Sequence, residues 1–402
     1  MLDVLVDMTA LNTPSHDRGI GRYVKGLCGA LAQRASWPGE LARQLGGEAL
    51  GLSIAGLVRH RGAAHGAIDP TLQFAGDPSV PKTNLRYQRH KLERRLFLGS
   101  LARRTGARLL HLPDPPGTPI DRRMPRVVTC HDLIPLVLGG DYLLPIPGGR
   151  AVQRARDRAR YAGALRVIAI SHATKRDLVE HLGIAPERID VTYHGVDHDR
   201  FHTRAAPGER ERVAAHLGTD APYLVCLGAS DSRKNLPMLL RAFAQSGVAR
   251  DVRLVLGGPL SNARRARLLD TARAYGVTAG LHLLGYVEED LVPALYRQAL
   301  AHVFPSSYEG FGLPLLEAMA CGTPTLTSTV SSLGEVAGEA ALTIDRPEVD
   351  ALAASIRRMV DDGELRASLR ERGLAWAAQF TWQRCAAGTL ESYARALAEA
   401  RW

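Results

Sequence analysis

The chain has 402 residues, too many for one ordinary hydrophobic core, so two domains are expected. Hydrophobic residues make up 46% and charged residues 23%, the profile of an ordinary soluble globular protein, and no run of 18 apolar residues argues for a membrane-spanning helix. The net charge of +10 fits a nucleic acid, an anionic membrane or an anionic substrate without choosing among them.

The opening MLDVLVDMTALN has two aspartates and no basic region, so it reads as a first strand over residues 2–6 rather than a signal peptide, and the protein is expected in the cytoplasm. Five widely spaced cysteines (Cys28, Cys130, Cys226, Cys321 and Cys385) form no metal or disulfide pattern and fit buried thiols in a reducing compartment. The loop TPSHDRGIG then sets Gly19 and Gly21 at a strand's carboxyl end, before a helix over 22–31. There the glycines serve either a ligand phosphate or acceptor, or a plain tight turn. Their spacing is not the G-x-G-x-x-G dinucleotide fingerprint. Residues 37–47 read as loop and helix, and 51–57 as a strand.

Residues 84–108 form the most basic segment, with Arg86, Arg89, Lys91, Arg94, Arg95, Arg103, Arg104 and Arg108 against Glu93. Leu85, Leu92, Leu96 and Leu101 give it a partial apolar stripe. It is either a helix on an anionic membrane face or a solvated surface helix, and the narrow stripe favours the second. Short strands follow over 109–112 and 126–130. His131 and Asp132 come just past the second of these, where side chains meet ligands. A neutral imidazole there can donate to a sugar hydroxyl and a protonated one can stabilise a leaving phosphate, while a purely structural histidine is the alternative. A strand over 166–170 leads to Ser171, the N-cap of a helix over 173–182, and residues 189–193 close the first domain. Asp197-His198-Asp199 has the D-x-D spacing of some metal sites, but it lies in a linker and the pattern is loose, so no metal ligand is assigned and no cofactor is expected. Polar residues 200–220 mark the junction. The expected division is 1–200, a linker over 201–221, a second domain over 222–380, and a final helix over 381–402.

In the second domain the strand YLVCL ends at Gly228, and Arg233-Lys234-Asn235 precede a helix over 236–243. A guanidinium fork beside a compact ammonium suits a diphosphate. Cations near a helix start are disfavoured by its dipole, which argues that an anion compensates them. Strands over 252–256 and 282–284 follow, the second leading to Val287. The stretch AHVFPSSYEGFGLPLLEAMACGTPTLTS then reads as strand, glycine-rich loop, helix and strand. Gly310 and Gly312 let backbone approach a ligand, and the amides of Phe311, Gly312 and Leu313 open a helix and favour an anion. Glu309 in the loop and Glu317 in the first helical turn are strong acceptors for hydroxyls. Phosphate donors between two hydroxyl acceptors point to a nucleotide sugar. Residues 347–380 and 382–401 are helical.

The run EGFGLPLLEAMACGTP, with seven residues between Glu309 and Glu317, resembles the donor-site signature of retaining family 4 glycosyltransferases. RGIGRY, HDLIP, HGVD and RKN are similar to further segments of that family, and the resemblance covers nearly the whole chain. The segment SSLGEV departs from the family's usual Leu-Pro-Glu, which puts local loop stiffness in question. The resemblance implies an α/β GT-B fold, two Rossmann-like domains with parallel sheets facing a cleft, and a C-terminal helix crossing back to the N-terminal domain. It implies that Glu309, His131, Arg233 and Lys234 act in catalysis. Donor contacts would come from Gly19, Gly21, Gly228, Arg233, Lys234, Val287, Glu309, Gly310, Phe311, Gly312, Leu313 and Glu317, with Val287 meeting the base through its backbone. Asp132 would support the site or touch the acceptor.

GDP-mannose leads as donor, because the combined motifs look most like polysaccharide mannosyltransferases, with GDP-rhamnose and UDP-glucose as alternatives. The implied acceptor is a lipid-linked surface glycan, the implied chemistry needs no metal, and residues 84–108 are the candidate contact with the membrane. A nucleic-acid-binding protein lacks a reader motif here. A glycoside hydrolase needs carboxylates flanking a scissile bond, whereas these flank a phosphate-type loop.

Overall fold

The computed structural model describes residues 2–12, 19–34, 37, 51–57, 66–67, 84–121, 123–143, 145–228 and 231–400. Most of the expected loop over 13–21 and of the loop and helix over 37–47 lies outside them. The chain forms two compact units, Met1–Gly195 with Thr381–Trp402, and Val196–Phe380.

The first unit holds β1 (Val4–Asp7), β2 (Ile54–Leu57), β3 (Gly66–Ala67), β4 (Leu109–Leu112), β5 (Arg126–Cys130), β6 (Arg166–Ala169) and β7 (Ile189–Val191). Their spatial order is β3-β2-β1-β4-β5-β6-β7, and all pair in parallel except β3, which runs antiparallel to β2. The central strands are short apolar runs because both faces of the sheet are covered. Side chains alternate between the faces. Val4 and Val6 of β1 enter a core with Tyr23 and Leu27 of the helix Gly19–Ala32 and with Leu390 and Tyr393 of the helix Trp382–Glu399. Leu5 enters the opposite core, with Leu98 and Ala102 of the helix Asn84–Arg104. The last helix of the chain is therefore part of the first unit.

The second unit holds β8 (Tyr223–Leu227), β9 (Arg253–Gly257), β10 (Leu281–Gly285), β11 (Ala301–Phe304), β12 (Thr325–Ser328) and β13 (Leu342–Ile344). They form a parallel sheet in the order β10-β9-β8-β11-β12-β13. The order reverses between β8 and β11, and in open parallel sheets ligands bind beyond the carboxyl ends of the strands at such a switch.

Three expectations change. The helix Gly19–Ala32 starts at Gly19, so Gly19 and Gly21 belong to its first turn rather than to a loop, and Gly21 is buried. The segment read as a linker over 201–221 contains a helix, Glu209–Leu217, of the second unit. Its polar sequence hid a buried acid: Glu209 accepts from Arg297 Nε at 2.9 Å. The basic segment is a helix over Asn84–Arg104 that covers the sheet with Leu98 and Ala102 and also carries a buried cation. Arg94 is 5% exposed and pairs with Asp7 and Asp114. On the same helix Leu92, Leu96 and Phe97 are 55%, 50% and 64% exposed. Among the described residues no helix is long and apolar enough to cross a membrane.

Candidate functional site

The loops after β8 and β11 are stitched together by hydrogen bonds to backbone carbonyls. Asp231 Oδ1 accepts from the Arg233 amide at 3.1 Å and starts a 3-10 turn over Ser232–Lys234. Asn235, with φ 53, ends that turn and opens the helix Leu236–Ser246. Asparagine tolerates this left-handed backbone better than most residues. Its Nδ2 donates to Pro305 O at 3.1 Å, and the Ser307 amide donates to Arg233 O at 2.8 Å. The turn after β8 is thus fixed against the loop after β11.

Glu309 occupies the middle of this arrangement. Its Oε1 accepts from Lys234 Nζ at 2.6 Å and from Ser306 Oγ at 2.7 Å, and its Oε2 pairs with Arg233 Nη1. Arg233 Nη1 also donates to Tyr308 O at 3.0 Å, and its Nε lies 3.2 Å from Asp231 Oδ2. Two cations and two carboxylates give the cluster no net charge. Burial alone would raise the Glu309 carboxyl above its ordinary range, but Lys234 and Arg233 outweigh that and hold it below. A carboxylate offers about four acceptor positions, and three are filled here. The position left, on Oε2, can accept one hydroxyl of a ligand.

The expected site residues gather unequally. Gly228, with φ 84, sits beside Lys234, and a Cβ there would lie 3.8 Å from Lys234 Nζ. Gly312 has φ 114, a backbone closed to ordinary side chains, and forms the N-cap of the helix Leu313–Ala320. Gly310 and Phe311 are buried in the loop leading to it, with Leu313 half-buried at its first position. The sequence places Glu317 in the first helical turn, but the helix opens one residue earlier than expected, at Leu313, so Glu317 lies just beyond that turn; it is 5% exposed. Val287 is buried, and its side chain packs towards Gly257.

His131 and Asp132 belong to the first unit, as do Gly19 and Gly21. His131 Nε2 is 2.8 Å from Pro113 O. A carbonyl only accepts, so Nε2 carries the proton. Burial outweighs that bond and the nearby Asp132, lowering the imidazole's pKa and favouring the neutral ring. In that neutral ring Nδ1 is an acceptor and Nε2 is occupied by Pro113 O. Tyr23 lies edge-on to His131 at 5.1 Å and stacks on His194 at 4.9 Å. Asp132 Oδ1 accepts from the Ile134 amide at 3.1 Å, a local turn leading into the short helix Ile134–Leu138. Asp197 and His198, the first two residues of the D-x-D match, are otherwise engaged: Asp197 Oδ1 accepts from the Arg200 amide in a local turn, and His198 Nε2 donates to Phe380 O, far along the chain.

Sequence reasoning missed four serines and one tyrosine around these residues. Ser306 touches the Glu309 carboxylate, Ser328 Oγ donates to Ser306 O at 3.2 Å, and Ser331 and Ser332 bond the Glu309 backbone. Serines in a loop look like generic turn formers, and no local spacing separates them from those. Tyr23 gives no polar signal within its helix, although its hydroxyl lies 3.0 Å from Thr129 Oγ1.

Residues 209–376 match the family model described as Glycosyl transferases group 1, and residues 18–200 match Glycosyltransferase Family 4. O-antigen chain mannosyltransferase B of Escherichia coli is 32% identical over 253 residues, covering 59% of this chain and 65% of that protein. D-inositol 3-phosphate glycosyltransferase of Rhodococcus opacus (strain B4) is 34% identical over 239 residues, covering 57% and 52%. The chain thus spans less than two thirds of the length of either relative. Among solved structures, sucrose-phosphate synthase from Thermosynechococcus elongatus superposes with a TM-score of 0.75 at 20% identity, over 100% of both chains. At that identity the likeness is one of fold.

Proposed function

We propose that this chain, which belongs to the family 4 glycosyltransferases and has the GT-B fold, transfers a hexose from a nucleotide diphosphate sugar to a glycan acceptor. The observation that carries the reading is the Glu309–Arg233–Lys234 constellation at the switch between β8 and β11. Arg233 and Lys234 swing part of their charge from Glu309 to the diphosphate and stabilise it as it leaves. One such preorganised donor is worth about 10²–10³ in rate. These cations supply what a metal supplies in other transferases, so turnover survives chelation. Glu309 Oε2 accepts a hydroxyl of the donor sugar, Glu317 accepts the ribose hydroxyls, and the amides at Phe311, Gly312 and Leu313 face the phosphate. His131 Nδ1 accepts from a hydroxyl of the transferred sugar.

The transfer retains configuration. The acceptor oxygen attacks the anomeric carbon on the face from which the phosphate departs. The bond from that carbon to the phosphate oxygen breaks, and the acceptor proton passes to that oxygen. The donor is GDP-mannose and the acceptor a growing, lipid-linked surface glycan, a choice supported by the similarity to an O-antigen mannosyltransferase. UDP-glucose and GDP-rhamnose are the competing donors, because sugar identity depends on hydroxyl contacts that the family likeness does not fix. Contact with an anionic membrane face runs through the helix Asn84–Arg104, where exposed Leu92, Leu96 and Phe97 stand among exposed Arg95, Arg103 and Arg104.

A thermal-shift screen against GDP-mannose, UDP-glucose, GDP and UDP, with and without chelator, tests the reading. A GDP-selective upshift that survives chelation is expected. A UDP-selective shift overturns the donor, and no shift with any nucleotide overturns the function.

A further inference from the structure

The loop that carries Glu309 has glycines at 310 and 312, and glycine leaves backbone the most freedom to lose. Something must therefore fix the Glu309 peptide if its carboxylate is to meet a ligand hydroxyl reproducibly. Two adjacent serines from the segment after β12 do so. The Glu309 amide donates to Ser331 Oγ at 2.8 Å. Ser332 Oγ lies 2.9 Å from Glu309 O and 2.7 Å from Phe311 O, and its single proton serves both. The two sides of one peptide segment are thereby held by neighbouring hydroxyls. Ser332 is fully buried, so removing its hydroxyl leaves two carbonyls short of a donor in a dry place.

The backbone of Ser331 adds a second, independent observation. Among the described residues only two non-glycines have positive φ, Asn235 at 53 and Ser331 at 51. One adjoins Lys234 and the other touches Glu309, so both conformationally costly positions abut the same constellation. Strain of this kind persists where surrounding structure over-determines it, and it clusters at ligand-binding sites. Glycine would sit at position 331 without steric cost but would offer no acceptor to the Glu309 amide.

We propose that Ser331 and Ser332 are positioning residues that clamp the Glu309 segment for donor-sugar recognition, at the expense of backbone strain at Ser331. The proposal rests on the reading of Glu309 as the donor-sugar acceptor. It also reinterprets the SSLGEV departure. The loop takes its stiffness from the two hydroxyls, and Gly334 gives room that a Cβ, 2.9 Å from Thr329 O, would not have.

The test compares Ser331→Gly, Ser331→Asn, Ser332→Ala and Glu309→Gln in the full chain. The readouts are Tm and kcat/KM for nucleotide release from GDP-mannose and, in parallel, UDP-glucose. Ser331→Gly should keep a Tm no lower than the parent's yet lose about tenfold in kcat/KM, the size of one displaced hydrogen bond. Ser331→Asn suits the left-handed backbone and restores an acceptor oxygen, so it should return to within about threefold of the parent. Ser332→Ala should lose at least as much as Ser331→Gly. If Ser331→Gly and Ser332→Ala match the parent while Glu309→Gln is inactive, the clamp is refuted and the site reading stands. A joint loss of Tm and activity in Ser331→Gly also refutes the clamp, because that marks a structural residue. If Glu309→Gln matches the parent, or neither donor is turned over, the clamp falls together with the reading beneath it.

Discussion

Replacing Glu309 with glutamine keeps the side chain's size and removes one negative charge from a cluster that is otherwise balanced. Arg233 keeps its pair with Asp231, while Lys234, with its side chain 8% exposed, loses the carboxylate it pairs with. Breaking a buried ion pair by removing one partner costs about 3–5 kcal/mol. For a unit of this size each kcal/mol moves Tm by about 2–4 °C, so a fall of about 6–20 °C is expected. The same lost charge should help an anion. Bare GDP or UDP meets a net +1 cluster in the variant and a neutral one in the parent, and its affinity should rise about tenfold, equal to about 1.4 kcal/mol of added Coulomb attraction. The nucleotide sugar gains no such advantage, because the hydroxyl contact on Oε2 is weakened. Calorimetric titration of GDP, UDP and their sugar conjugates against both proteins measures the split, alongside turnover, which should fall by at least about a hundredfold. Weaker binding of the bare nucleotide by the variant, with an unchanged Tm, would refute the argument that Glu309 holds these cations in check.

Three further outcomes are expected. His111 and His302 are buried, and burial lowers each imidazole to a pKa of about 3, so the folded protein leaves them neutral while the unfolded chain protonates them below about pH 6.5. Stability should therefore start to fall as the pH drops through 6.5, by up to about 1.4 kcal/mol per pH unit for each histidine. Below about pH 4.3 an unfolded glutamate takes up its proton while the depressed Glu309 carboxyl of the folded protein stays charged, so a second loss sets in; Tm measured from pH 7 to pH 5 at fixed ionic strength checks the first phase, and a flat curve would count against it. Arg94→Met should strand the Asp7 and Asp114 carboxylates in the first unit, costing about 3–5 kcal/mol, and chemical denaturation followed by tryptophan fluorescence would show it. Phe97→Asp should leave donor turnover unchanged while reducing sedimentation with vesicles rich in anionic phospholipid, and equal sedimentation would remove that helix as the membrane contact.

Much of the architecture could be read from short apolar runs alone. The strands at 109–112, 126–130 and 301–304 have the expected bounds because each is a buried run stopped by polar or proline residues. The helix starts at Gly19 and Glu209 were harder. Glycine and charge signal loops locally, and only burial against the rest of a unit overrides them. At the site, Glu309, Arg233 and Lys234 could be named because their residue types carry chemistry. That the carboxylate would be paired with both cations could not, since the partners are more than 70 positions apart and no periodicity links them. The proton on His131 depends on Pro113 O, a backbone atom with no signature in sequence.

The helix Trp382–Glu399 has a consequence for how the protein is made. Its Leu390 and Tyr393 lie in one core with Val4 and Val6, and Tyr393 reaches His111 Nδ1 at 2.6 Å. A ribosome delivers that helix only after the whole of Val196–Phe380 has emerged. During synthesis the later unit can therefore complete its own core first, while the earlier one waits with an apolar face uncovered. Nascent chains halted near residue 380 should accordingly bind chaperones through their oldest segment, not their newest.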